Sequence, residues 1–135
     1  MSYKISEIEG IGPSYAEKLA SAKIANTDDL LQFCCDKKGR KSTAESTGVS
    51  EKLLLKWANM ADLMRIKGVG RQFAEMLEAA GVDTVKELAT RRPDNLAAKM
   101  AEVNEAKNLA NATPAQSIVE GWVSAAKGTE PKISH

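Results

Sequence analysis

Residues Ile8-Glu9-Gly10-Ile11-Gly12-Pro13-Ser14-Tyr15-Ala16-Glu17-Lys18-Leu19 are matched, 58 positions later, by Ile66-Lys67-Gly68-Val69-Gly70-Arg71-Gln72-Phe73-Ala74-Glu75-Met76-Leu77. The register holds without a gap as far as Leu30 and Leu88, pairing Ala22 with Ala80, Ile24 with Val82, and Asp28-Asp29 with Lys86-Glu87. The halves then diverge. Trp57 and Trp122 nevertheless occupy corresponding places near their ends, at an offset of 65 that implies about seven extra residues in the second half. Self-similarity at a fixed period marks a duplicated structural unit. The chain reads as a diverged tandem duplication with its seam near Met60–Leu63: a first repeat over 1–61, a second over 62–127, and a loose tail over 128–135.

Each half reads as helices separated by short punctuation. Glycine or proline ends the segments, and Ser, Thr or Asp opens the next. Thr27 precedes the acidic pair Asp28-Asp29, which suits the positive end of a helix. Thr84 with Glu87, and Thr113 with Gln116, have capping-box spacing, the latter with Pro114 at the first helical position. Ser50 is a cap for the helix carrying Leu53-Leu54-Leu55 and Trp57. Leucine, alanine, lysine and glutamate dominate, and alternating β-branched runs are absent, so the predicted fold class is all-α.

The duplicated element has a chemistry of its own. Gly10 and Gly68 end a short helical turn, where a residue lacking Cβ can adopt positive φ. Gly12 and Gly70 stand where the backbone enters the next helix, which Pro13 and Arg71 begin. Ala16 and Ala74 let flanking helices approach closely. Such a turn presents unpaired N–H groups at a helix N-terminus, where an anion such as phosphate is favoured.

On these residues the chain resembles the helix-hairpin-helix family. Two motifs in tandem are similar to the paired helix-hairpin-helix domains of DNA repair and recombination proteins. The resemblance implies two repeats packed about a pseudo-two-fold into one compact helical domain, with Gly-apolar-Gly turns holding DNA backbone phosphates largely without reading sequence. The whole-chain pattern, with GIGPSYAEKL, TGVS, the LLKWAN segment and RIKGVG, also resembles a bacterial helix-hairpin-helix family of unknown function. The family's hairpins often carry a Lys or Arg soon after the second glycine, followed by a small residue; here Ser14-Tyr15 and Gln72-Phe73 stand there. Family members can hold a potassium or sodium ion on hairpin carbonyls when DNA is bound, which no side chain reveals.

Charge separates the two turns. Arg65, Lys67 and Arg71 give the second a local charge of +3, whereas Glu7 and Glu9 give the first −2. The candidate nucleic-acid-binding residues are therefore Arg65, Lys67, Gly68, Val69, Gly70 and Arg71, with Gly10 and Gly12 secondary. Lys37-Lys38-Gly39-Arg40-Lys41 is a further basic run, read either as a second phosphate contact or as a solvated loop at a helix C-terminus. Arg91-Arg92, at the matching connection, is read as solvated. Tyr15 and Phe73 are expected to pack between the motifs, and Trp57 and Trp122 to anchor the cores of their halves. With aromatics at 4%, no stacking platform for single strands is expected.

Composition removes other classes. Nineteen Lys and Arg against 18 Asp and Glu leave a net charge of +1, not the excess that announces a nucleic-acid binder. No apolar run approaches the roughly 18 residues of a membrane span. The N-terminus lacks the regions of a signal peptide, so a soluble, cytoplasmic protein is expected. Adjacent Cys34 and Cys35 suit neither a disulfide framework nor a zinc site, and one of them is expected to be buried. His135, the single histidine, ends the chain, which leaves Ser-His-Asp and Cys-His catalysis without a base. The carboxylates are scattered along helices, and Asp83 reads as a turn residue. No catalytic residue, metal or cofactor is expected.

Two functions remain. The first is non-catalytic, sequence-independent binding of a duplex DNA backbone by the second turn; about three neutralised phosphates give a salt slope near −2.7 and weak affinity. The second is a protein-interaction or scaffolding module in which the glycines serve the turns alone. Convergence of Arg65, Lys67, Arg71 and Lys37–Lys41 on one surface would favour the first, and dispersal the second.

Overall fold

A computed structural model describes residues 2–134. After a single 3-10 turn at Ile5–Glu7, eight α-helices follow among the described residues. They are α1 (Pro13–Ser21), α2 (Thr27–Cys34), α3 (Lys37–Thr47), α4 (Glu51–Leu63), α5 (Arg71–Ala79), α6 (Val85–Thr90), α7 (Pro93–Lys107) and α8 (Gln116–Lys127). No strand is present among the described residues; the nearest thing is one antiparallel bridge between Lys4 and Asn26.

Local chemistry explains most boundaries. Ser50 Oγ accepts from the Leu53 N–H at 3.2 Å and Thr84 Oγ1 from the Glu87 N–H at 3.0 Å, as the capping pattern predicts. Asn26, not Thr27, caps α2, its Oδ1 accepting from Asp29 N–H at 2.8 Å. The expected cap at Thr113 is absent. α8 begins at Gln116 behind Ala115, with no side-chain cap, and Pro114 lies buried ahead of the helix. Burial of the proline ring anchors this entry instead of a hydroxyl.

The basic run Lys37–Lys41 is not a loop at a helix C-terminus. Asp36 Oδ1 accepts from the Gly39 N–H at 2.7 Å and starts α3 there, so the run forms its first turn. A Cβ at Gly39 would collide with the Phe33 carbonyl, which is why glycine stands where α2 and α3 join. Arg40 is buried, donating to the Cys34 carbonyl at 3.1 Å and the Ser134 carbonyl at 2.8 Å.

That second bond corrects another expectation. Through Ser134, the segment after α8 is docked rather than loose. The Lys132 N–H donates to Asp62 Oδ2 at 3.1 Å, Ser134 N–H donates to the Cys35 carbonyl at 2.8 Å, and Ile133 packs partly buried against the core. The sequence of 128–135 is polar and lacks periodicity. The bonds that hold it come from Arg40 and Asp62, far away in the chain. His135 lies outside the described residues.

The core runs through the molecule from Ile5, Ile8 and Leu19 to Val119, Trp122 and Ala126. α4 packs on α2 and α3, and α8 packs correspondingly on α6 and α7; α4 also meets α5 and α6. From Trp57 to Leu63 every residue of α4 is buried, whereas α8 is buried on one side only. α7 is four residues longer than α3, the connection after it is five longer, and α6 is two shorter than α2, which places the seven extra residues of the second half.

Candidate functional site

The two glycine turns have the same backbone. Gly10 and Gly68 have φ of +95° and +91°. In each, the residue after that glycine donates its N–H back to the carbonyl three positions earlier, Ile11 to Ile8 and Val69 to Ile66. Helices α1 and α5 then start from Gly12 and Gly70, with φ of −83° and −95°. The first glycine of each turn is structural for a second reason. A Cβ on Gly10 would lie 3.3 Å from Trp57 Nε1, and one on Gly68 would lie 3.1 Å from Trp122 Nε1. The second glycines differ: nothing lies within 4 Å of a Cβ on Gly12 or Gly70.

The aromatic residues are in the core, but within each half rather than between the motifs. Tyr15 meets Trp57 edge-on at 5.1 Å, and Phe73 meets Trp122 at 5.2 Å. The offset of 58 that pairs the glycines also pairs Tyr15 with Phe73, and each meets the tryptophan of its own half, where the offset has grown to 65. The edge-on and tilted geometries are those the ring quadrupoles favour.

The three cations of the second turn do not point one way. Arg71 Nε and Nη2 both donate to Glu9 Oε2, at 2.9 and 2.6 Å, so the guanidinium is held by a carboxylate of the first turn. That bond raises the Arg71 pKa further above its ordinary value. Arg65 donates to Asp62, whose carboxylate is buried, and to the Glu130 carbonyl at 3.1 Å; it faces the docked tail in a cleft with Asp28, Leu31 and Lys132. Lys67 is exposed, with no ion-pair partner among the described residues. Val69 is fully buried and contributes only its backbone to any surface. In the other basic clusters, Arg91 is tied to Glu87 and the Gly81 carbonyl, and Arg92 to Asp94.

Two clefts flank the second turn. One, of about 510 Å³, lies between Gly68, Gly70, Arg71 and Phe73 on one side and Tyr3 and Glu7 on the other. The second, of about 430 Å³, runs between Lys67, Gly68 and the bare side of α8, formed by Ser117, Ile118, Gly121 and Ala125. Ile118 is 50% exposed there. Sequence reading missed Ile118 because one isoleucine on an amphipathic helix looks like core. It also missed the pairing of Glu9 with Arg71, having read Glu9 only as part of the first turn's negative charge. Opposite signs on two turns of matching sequence were the available signal.

Among the described residues no group of three or more His, Cys, Asp or Glu could hold a metal ion, and no helix is long and apolar enough to cross a membrane. Cys34 is buried, which raises its thiol pKa, and Cys35 is half-buried; both are free. The chain is an all-helical domain built around two glycine turns. Residues 9–129 match the model of a domain of unknown function, DUF4332, and the chain belongs to that family. No curated protein and no solved structure matches it.

Proposed function

We propose that the chain is a non-catalytic protein-interaction module that takes its partner against the second glycine turn and the bare side of α8. In this reading the turns are those of paired helix-hairpin-helix units, and the partner is another protein rather than DNA. The observation that carries it is the Glu9–Arg71 bond, which occupies the guanidinium best placed to hold phosphate. The division of Arg65, Lys67 and Arg71 among different surroundings supports the same conclusion, because phosphate binding needs cations that act together. The apolar lining contributed by Ile118, Phe73 and Tyr3 suits a protein surface. A cytoplasmic setting goes with this reading, since adjacent free thiols persist in a reducing compartment.

A duplex-backbone reading keeps one observation of its own. Gly12 and Gly70 have ordinary φ and open space around them, so neither turn geometry nor packing explains glycine there. Close approach of a ligand backbone would explain it. Lys67 and Gly70 would then carry the contact, with Gly10, Gly12 and Gly68 shaping the turns.

Photo-crosslinking and fluorescence anisotropy separate the two readings. A crosslinker at position 118 or 73 is expected to trap one protein partner, while the same group at exposed Lys41 traps none. Random-sequence duplex is expected not to bind. Salt-sensitive duplex binding, abolished by Lys67→Glu, would replace the protein reading with the backbone one.

A further inference from the structure

Residues 130–134 cross a groove made by the α2–α3 junction and the end of α4, and they are held there through their main chain. Arg65 donates to the Glu130 carbonyl at 3.1 Å, the Lys132 N–H donates to Asp62 Oδ2 at 3.1 Å, and Arg40 donates to the Ser134 carbonyl at 2.8 Å. The Ser134 N–H donates to the Cys35 carbonyl at 2.8 Å, with its hydroxyl 3.4 Å from the same oxygen. The bonds fall on alternate residues, Ile133 packs against the core between them, and Pro131 keeps Glu130 out of the helical region. Extended peptides are recognised in this way: main-chain bonds supply affinity and side-chain pockets supply choice.

The groove is held in shape by bonds of its own. Asp62 gives Oδ1 to Arg65 and keeps Oδ2 for the peptide, while Arg40 gives Nη1 to the Cys34 carbonyl at 3.1 Å and keeps Nη2. Each of these side chains is fixed by one atom and presents another, so little ordering remains to be done on binding. Asp62 and Arg40 are 2% and 3% exposed, and an empty groove would leave Oδ2 and Nη2 without the main-chain partners that satisfy them. The segment seated there does not fill the groove. A cleft of about 450 Å³ remains between Lys132 and the stripe Asp28, Leu31, Gln32 and Cys35 along α2.

We propose that this groove is a binding site for an extended segment of another protein, and that residues 130–134 are a resident stand-in which that segment displaces. The ligand is read through carbonyls at the places of Glu130 and Ser134 and through N–H groups at those of Lys132 and Ser134, so it has no proline at either of the last two. An aliphatic side chain takes the place of Ile133. A bulky apolar one takes the place of Lys132 and covers the Leu31 and Cys35 side of the cleft, which the lysine leaves open. Resident and incoming segments compete, so apparent affinity is reduced by the fraction of molecules whose groove is free. Neither Ile118 nor Phe73 takes part, and the reading of the second turn stands or falls separately.

The test is fluorescence anisotropy of the full chain with a labelled synthetic peptide, the resident sequence 129–134 carrying Lys132→Phe. Ile133→Asp in the full chain loosens the resident and leaves the groove side chains in place, and is expected to raise peptide affinity about tenfold or more over the wild type. On that loosened chain the peptide that keeps its lysine is expected to bind about threefold more weakly. The peptide carrying Lys132→Pro, which lacks the N–H for Asp62, is expected not to bind. Arg65→Gln added to Ile133→Asp is expected to lower the affinity about tenfold. If Ile133→Asp does not fold, Lys132→Pro in the chain, at an exposed position, loosens the resident instead. No binding to the loosened chain, or binding no tighter than to the wild type, overturns the proposal and leaves residues 130–134 as a fixed part of the fold. Binding that ignores the proline, or that prefers lysine in the cleft, overturns it as well.

Discussion

Arg71 places both Nε and Nη2 on a single oxygen of Glu9, at 2.9 and 2.6 Å, and so joins the two glycine turns side by side. Both side chains are more than 40% exposed, so the pair contributes little to stability. A double-mutant cycle with Glu9→Gln and Arg71→Gln is expected to give a coupling below about 1 kcal/mol. Its larger expected effect is on ligand choice. Glu9→Lys frees the guanidinium and adds a cation, and is expected to bind duplex in a salt-sensitive way and more tightly than the wild type, measured by anisotropy at low and moderate salt.

The two glycines of each turn are expected to separate in a denaturation series. Gly68→Ala forces a Cβ into the left-handed region and towards the Trp122 ring, and is expected to cost about 2 kcal/mol. Gly70→Ser is expected to leave stability unchanged or raise it by a few tenths of a kcal/mol, because serine is a better N-cap in open space. A comparable loss in both variants would contradict this division.

Lys23 has φ of +68° at the place where the second half has Gly81, at +95°. Lys23→Gly relieves about 1–2 kcal/mol of left-handed strain against an unfolded-state cost of roughly 0.5–1 kcal/mol. The expected net gain is about 0.5–1 kcal/mol, read as a higher urea midpoint with an unchanged slope.

Glu75 has its carboxyl pKa raised by burial first and by the neighbouring Glu9 second, with Arg71 and Lys56 opposing and Glu78 adding to the shift. A carboxylate whose pKa is raised on folding favours the folded state below its ordinary range. That contribution is lost as pH rises through the raised value. Glu75→Gln is therefore expected to be more stable than wild type near neutrality, with the difference closing below the ordinary carboxylate range. Thermal melts across pH 3–7, roughly the span over which such groups titrate, provide the check.

Removal of the residues after Lys127 is expected to destabilise the fold by about 2–3 kcal/mol. Buried Arg40 would lose the Ser134 carbonyl, and buried Asp62 would lose the Lys132 N–H. Urea denaturation of the truncated chain against the full one reads the loss.

The all-helical class and the repeated turns were legible because they rest on local rules: positive φ at a glycine, a hydroxyl before a helix, an apolar face at helical spacing. Trp57 and Trp122 could be placed in the core for the same reason. What sequence left illegible was set by contacts between distant residues. Nothing near Lys37–Lys41 shows that Arg40 turns inward to hold the end of the chain. Nothing near Arg71 shows that Glu9 lies against it. Asp62 offered the best missed signal, as a charged residue in the mostly apolar run Trp57-Ala58-Asn59-Met60-Ala61-Asp62-Leu63. A charge kept in such a run needs partners beyond its own helix, here the Arg65 guanidinium and the Lys132 N–H.

The complete burial of α4 from Trp57 to Leu63 means that the seam in the sequence is not a seam in the cooperative structure. A fragment ending at residue 61 would break α4 two residues short of its end and bare Met60, Asn59 and Ala58 to water. A fragment beginning at residue 62 would keep α5 on α7 and α6 on α8 but strip both of the α4 surface they also meet. The two halves are therefore expected to melt as one unit.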